Sequence, residues 1–266
     1  MTIQPEEKTV AKWTAFPHIG EYGFDAAKTR RNWVRLHTGD TEPLPGTADV
    51  LEAWSLFHSG EFQQCVQAGL KAGGAGITVA NKATCIYANY LEKKEKTRLD
   101  LFMEVVRRAE AQVAVDASNP NAHYWLAYAL GRYSQGISVA KALAQGLGGK
   151  VKTALETTIK LQPRHANAHI ALGAFHAEVI DKVGSLIGGM TYGAKKDTGL
   201  SMFQEALRLN PGSAICLIEY ANALVMLDGD KKMKEATRLY EQAAAFKPVD
   251  AEERLDVEMA RAELAD

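Results

Sequence analysis

The chain has 266 residues, 31 Lys and Arg against 32 Asp and Glu, a formal net charge of −1 and 47% hydrophobic residues. That length is enough for a large core in one or two domains. The charge balance excludes binding of nucleic acid or anionic membrane through bulk electrostatics, and no uncharged apolar run reaches the roughly 18 residues of a membrane span.

The first residues, Met1-Thr-Ile-Gln-Pro-Glu-Glu-Lys8, carry no basic start followed by an apolar stretch, so no signal peptide is expected. Residues 1–46 differ from the rest. They hold Trp13, Trp33, a Phe16-Pro17-His18 segment and a Pro43-Leu44-Pro45-Gly46 break. Phe24–His37 reads as one amphipathic helix ending before Gly39. Residues 1–46 are therefore expected to form a capping extension, and residues 47–266 a repeat domain.

Asp49–Ser59 and the run opened by Gly60-Glu61-Phe62 form a first helical hairpin, closed by Gly73-Gly-Ala-Gly76. Thr78–Leu91 and Thr97–Ala117 form a second, joined at Lys93-Lys-Glu-Lys96. A third begins at Asn121, a fourth near His165 and a fifth near Ser213. Asp250–Ala265 is a charged closing helix, with Leu255, Met259 and Ala262 at helical spacing on one face and the acids, Arg254 and Arg261 opposite. No stretch alternates as a strand would. The fold expected is all-α: about five antiparallel hairpins in a right-handed superhelix, with an N-terminal cap and a C-terminal capping helix.

A phrase repeats along the second half: a helical run ending in Pro, then a run opening with Ala. The prolines are Pro120, Pro163, Pro211 and Pro248, spaced 43, 48 and 37 apart, against about 34 for the commonest helical-hairpin repeat. The third and fourth hairpins therefore carry inserts, Ser134–Gly149 and Lys182–Gly193. Both are Gly-punctuated and apolar, unlike ordinary short polar connections.

Gly60-x-Phe62-x-x-Cys65, Leu172-Gly173, the set Phe203, Ala206 and Pro211, and the set Ala236, Tyr240, Ala243 and Pro248 resemble the small, aromatic and proline positions of tetratricopeptide repeats, over residues 47–248. The third hairpin departs most, with Val151, Leu155 and Thr158 where small or aromatic residues are usual. Residues 120–266 also resemble the repeat region of the regulator-of-microtubule-dynamics family. The resemblance lies in His169-Ile-Ala-Leu-Gly173, the Gly-broken insert before Tyr192-Gly193, the Ala206-Leu-x-Leu-x-Pro211 step and the ending Pro248-Val-Asp-Ala-Glu-Glu. It implies a binding scaffold; the family's membrane-tethered members use their repeat domain in contact-site tethering and phospholipid binding.

In such a stack the first helix of each hairpin lines a concave groove. In the fifth unit Leu217, Tyr220, Ala221 and Leu224 form a packing stripe, while Ile215, Ile218, Asn222, Val225 and Met226 form a second stripe expected to face the groove. In the fourth, Leu172, Gly173 and His176 pack, and Ile170, Ala174 and Ala177 face the groove. In the third, Leu126, Leu130 and Tyr133 are the groove candidates. A helix apolar on all sides must be covered on all sides, because each wet aliphatic side chain forfeits about 1.5–3 kcal/mol. Three fillers are open. The inserts or closing helix fold back; an apolar ligand or a partner's amphipathic helix enters, with the inserts as a lid; or a second copy docks. Ile, Leu, Ala and Met at these places exclude a basic clamp for acidic C-termini.

The remaining constellations point away from chemistry. His165, His169 and His176 lie near one helix face with Glu178 close by, and two His at that spacing bind zinc only if a third ligand converges; His165 sits in the first turn, and His169 and His176 fall where a repeat wants packing residues. His58 and His123 read as lone surface or partly packed residues. The two Gly runs follow no strand and lack a Gly-Lys-Ser/Thr ending. Cys65, Cys85 and Cys216 have no paired spacing and are expected to be reduced, buried and structural, in a reducing and by default cytoplasmic compartment. The charge runs at Lys93–Arg98, Arg107-Arg108 and Lys231–Lys234 read as solvated faces. The expectation is a non-catalytic scaffold docking a protein or peptide partner, with a lipid or other apolar small-molecule carrier as the alternative. No cofactor, metal or nucleic acid is expected.

Overall fold

The computed structural model describes residues 12–265, so the expectation about a signal peptide lies outside the described residues. Helix α1 (Ala26–Leu36) is followed by the pair α2 (Ala48–His58) and α3 (Phe62–Ala72), then by α4 (Gly76–Tyr90) and α5 (Glu95–Val115). Next come α6 (Pro120–Gln135), the short α7 (Val139–Ala144) and α8 (Leu147–Leu161). Two more pairs follow, α9 (Ala166–Tyr192) with α10 (Lys196–Leu209) and α11 (Ala214–Asp228) with α12 (Met233–Ala244); α13 (Ala251–Glu263) closes the chain. Among the described residues there is no strand. The protein is an all-α solenoid of five hairpins: α2/α3, α4/α5, α6/α8, α9/α10 and α11/α12.

The repeating phrase is a helix stop followed by an N-cap. Asn119 Oδ1 accepts from the Ala122 amide at 3.1 Å, with Pro120 in the first turn, where its missing N–H costs nothing. His165 Nδ1 accepts from Ala168 N (3.1 Å), Ser213 Oγ from Cys216 N (3.2 Å) and Asp250 Oδ1 from Glu253 N (2.9 Å). Small residues then set how closely hairpin partners approach. A methyl group added at Gly173 on α9 would meet the Phe203 ring of α10 at 2.8 Å, and one at Gly199 would meet His176 Cβ at 2.9 Å.

Both inserts are helical rather than looped. The first forms α7. The second continues α9 past a kink at Gly184, whose φ of +81° suits glycine. The kink folds the last turns back, so that Gly188 approaches Val179, while Tyr192 packs over Gly148 at the start of α8. The inserts therefore touch one another on one side of the stack.

The segment after α1 and the closing helix meet on the concave face, through Lys82. The segment runs across that face: Gly39 O accepts from Asn167 N on α9 (3.0 Å), and Glu42 accepts from the Asn121 side chain on α6 (2.5 Å). The N-terminal extension is thus not only a cover over the first hairpin. Helix α13 lies against α11 and α12 and also reaches α2. It buries Leu255, Val257 and Ala260, leaves Ala262 exposed, and turns Asp250, Glu252 and Asp256 inward. The acids opposite the apolar face are not left in water: Glu252 and Asp256 contact Lys82 and Tyr90 of the second hairpin. His58, expected at or near the surface, is fully buried, and its Nδ1 lies 2.7 Å from Asp250 Oδ2.

Candidate functional site

Lys82 on α4 is 2% exposed and sits where the N-terminal segment, the second hairpin and α13 converge. Its Nζ is 2.8 Å from Asp40 Oδ2 and 2.9 Å from Glu252 Oε2. Burial alone would lower its pKa, but the two carboxylates outweigh burial and raise it. Burial would raise Asp40, yet Lys82 and His37 hold it well below the usual carboxylate range. Glu252 goes the other way: burial pushes it up to about 7 despite Lys82. Asp256, deeper still, is raised by burial and by the charge of Glu252, and accepts from the Tyr90 hydroxyl. This polar cluster fills the N-terminal half of the concave face.

Beyond it the concave face opens into a cavity of about 240 Å³. Ile137, Val139 and Leu143 of the first insert, Val151 and Leu155 of α8, and Phe175, Val179, Val183 and Tyr192 of α9 make an apolar end. Tyr90, Tyr128, Arg132, Gln135, Glu178 and Glu219 make a polar end next to Glu252 and Asp256. Arg132 Nη2 is 2.9 Å from Glu219 Oε1, and its guanidinium stands 5.3 Å from the centroid of the Tyr128 ring. Burial and the charge of Glu219 push Glu178 up to about 7, and Glu178 accepts from the Gln135 amide. Burial pushes the Tyr128 hydroxyl up to about 12.

The histidines of the fourth hairpin are tied into the scaffold. His165 Nε2 lies 2.9 Å from Asn121 Oδ1 and its Nδ1 caps α9, which makes it a neutral ring with the proton on Nε2. His169 contacts Pro163 O, and His176 accepts from the Lys195 amide. Among the described residues no three His, Cys, Asp or Glu side chains converge as metal ligands do. The three cysteines are free and buried; burial raises each thiol, Cys216 to about 12.

Of the residues singled out in the sequence, the structure brings Ile170, Ala174 and Ile215 together on the cavity wall. It places the others elsewhere. Leu130 is buried in the core between α5, α6 and α8, with Leu126 and Tyr133 packed against it. Ile218 is 0% exposed, within a cluster containing Ala243 of α12 and Val257 and Ala260 of α13. Asn222 accepts from the Tyr240 hydroxyl, and Met226 lies partly exposed outside the cavity. On α6 the concave face is Tyr124, Tyr128, Gly131, Arg132 and Gln135, not the aliphatic stripe. Aliphatic side chains pack between hairpins, so apolarity alone selected the wrong face of α6. The missed signal was polar: Arg132 and Gln135 sit three apart in an apolar helix, with Glu178 and Glu219 as further isolated acids.

Stacked hairpins with a polar floor and an apolar-ended cavity on the concave side define a helical repeat protein of the tetratricopeptide type. The crystal structure of TTC0263, a thermophilic TPR protein of Thermus thermophilus, is similar in fold. It covers 80% of this chain and 97% of its own at 15% identity, with a TM-score of 0.56. YrrB, a TPR protein with an unusual peptide-binding site, covers 87% of this chain and 97% of its own at 14% identity and a TM-score of 0.38. No curated protein matches the sequence significantly. The family model of regulator of microtubule dynamics protein 1-3 matches residues 77–265, and the chain belongs to that family.

Proposed function

We propose that this chain is a non-catalytic binding protein whose cavity holds the apolar chain of an amphipathic, lipid-like ligand. The observation that carries this is the two-ended cavity on the concave face. Its apolar end is built from both inserts, α8 and α9, and its polar end is centred on Arg132. At about 240 Å³ the cavity falls near the lower edge of small-ligand pockets, roughly 300–1,000 Å³. It therefore suits a single acyl-like chain better than an α-helix, which is about 10–12 Å across with its side chains. Each buried methylene contributes about 0.8 kcal/mol, while Arg132, Tyr128 and Gln135 offer hydrogen bonds to a polar head.

A protein or peptide partner lying along the whole groove is the usual expectation for a repeat array of this kind. Here the N-terminal half of that route is occupied by the segment around Asp40 and by α13, pinned together through Lys82. A partner segment would have to displace three buried charged groups before it docked, and this favours the small ligand. Native mass spectrometry of protein gently purified from its host tests the proposal. A lipid-mass adduct that denaturation releases supports it, and so does loss of that adduct in Ala174→Phe, which fills the cavity wall. A bare chain, or an adduct unaffected by Ala174→Phe in a folded variant, overturns it.

A further inference from the structure

The overall charge of −1 hides a local asymmetry. Residues 134–152 and 182–196, which span the two inserts, contain Lys141, Lys150, Lys152, Lys182, Lys195 and Lys196 and no acid; Asp181 and Asp197 lie just outside. Lys152, Lys182 and Lys196 pair with Glu156, Asp181 and Asp228. Lys141, Lys150 and Lys195 are exposed and belong to no ion pair among the described residues.

The same two segments carry the largest apolar side chains left in water near the cavity. Leu186 is 77% exposed, Ile187 58% and Met190 81%, on the short helical stretch beyond the Gly184 kink. Val139 and Leu143 on α7 are also exposed, and both line the cavity as well. Tyr192 packs against Gly148, so the two inserts that carry these side chains meet at the cavity wall, which Val139, Leu143, Gly148 and Tyr192 line. A solvated loop has no use for Leu-Ile and Met held out on a helix. The kink at Gly184 is what redirects them away from the stack.

We propose that the two inserts form a docking face for an anionic lipid bilayer, which sets the apolar end of the cavity against the membrane surface. Exposed aliphatic side chains flanked by unpaired lysines are the chemistry of an interfacial helix, which lies in the headgroup region with its apolar face buried and its cations on anionic lipid. Continuity supplies the second argument: Val139 and Leu143 belong both to the face and to the cavity wall, so a docked face opens directly onto the site. A second copy of the chain would bury the apolar side chains equally well, but would bring like-charged lysines together. The docking face gives the proposed cavity ligand its route, and in that respect it rests on the lipid-binding proposal; the face itself is tested separately.

The experiment is co-sedimentation of the full chain with phosphatidylcholine vesicles, with and without phosphatidylserine, at low and high salt. The expected result is binding to the phosphatidylserine vesicles that weakens as salt screens the lysines. The variant Leu186→Ser/Ile187→Ser/Met190→Ser should lose about tenfold or more in vesicle affinity, as should Lys141→Gln/Lys150→Gln/Lys195→Gln on anionic vesicles. All six positions are exposed, so circular dichroism and thermal unfolding should match the parent. The proposal is overturned if the parent ignores anionic vesicles, if both variants bind as well as the parent, or if the apolar variant instead abolishes a concentration-dependent dimer. Ala174→Phe separates the two proposals. It should dock normally while carrying no ligand, and failure of the cavity proposal alone would leave docking intact and no adduct in any variant.

Discussion

Asp250 accepts a 2.7 Å hydrogen bond from His58, 192 residues earlier, so the first residue of the closing segment is fixed to the last turn of the first hairpin's leading helix. Beside it Lys82 bridges Asp40 and Glu252. The solenoid is thus closed across its concave face by buried charge rather than left as an open stack. Removing one partner of a buried ion cluster strands the others, which costs about 3–5 kcal/mol. Lys82→Met should therefore lower stability by that order in urea unfolding. Lys82→Met/Asp40→Asn/Glu252→Gln should recover most of the loss, because no unpaired charge remains. If the triple variant is no better than the single, the cost lies in packing and not in stranded carboxylates.

Ile218 separates groove from core. It is fully buried among Ala214, Leu217, Ala243, Val257 and Ala260, where α11, α12 and α13 meet. Ile218→Asp should destabilise the chain by more than about 4 kcal/mol, the range reached when an unpaired charge is buried. Loss of the cooperative thermal transition would be the sign. A folded Ile218→Asp protein would mean that this face is wetter than the packing indicates.

Gly173 is required by proximity and not by backbone angle. An alanine methyl would meet Phe203, itself fully buried, at 2.8 Å. The ring has no free side to move into, so Gly173→Ala should cost about 1–3 kcal/mol by overpacking, although alanine is the better helix former. Differential scanning calorimetry should show a lowered midpoint. A raised midpoint would mean that α10 moves away at little cost.

The helical repeat, its hairpins and its inserts were legible because each rests on local chemistry: Pro and cap residues between runs, small residues at close crossings, Gly breaks at the inserts. The candidate site was legible in part. Ile170, Ala174 and Ile215 line the cavity, but Leu126, Leu130 and Ile218 were assigned to the groove because they are aliphatic, and aliphatic side chains here serve the packing between hairpins. The polar end formed by Tyr128, Arg132, Glu178 and Glu219 comes from three helices, and no periodicity within one helix connects them. The inward turn of Glu252 and Asp256 depends on contacts with residues well over a hundred positions away, which no window along the sequence contains.

The buried ionisable groups give the protein a stability that falls with pH on the alkaline side. Burial lowers His37 and His165 to about 4, from 6.5. Between those values the unfolded chain binds protons that the folded chain does not, so these histidines make stability rise with pH up to about 6.5. Burial raises Glu252 and Glu178 to about 7 and Glu42 to about 8, from 4.5. There the folded chain keeps protons that the unfolded chain has lost, so these carboxyls make stability fall as pH rises through their folded values. The two sets oppose each other between about 4.5 and 6.5 and largely cancel. Between about 6.5 and 8 the carboxyls dominate, each contributing at most about 1.4 kcal/mol per pH unit and less where water reaches it. Urea unfolding midpoints should therefore fall from pH 6.5 to 8, and fall again above about 9, where the unfolded chain loses thiol protons that the buried Cys65, Cys85 and Cys216 keep. Glu42→Gln keeps an acceptor for the Asn121 side chain and removes the highest of the three titrations, so it should flatten the upper part of that fall. A midpoint that rises over this range would show that these carboxyls are already ionised in the folded protein near neutral pH, and a Glu42→Gln slope equal to that of the parent would show the same of Glu42 alone.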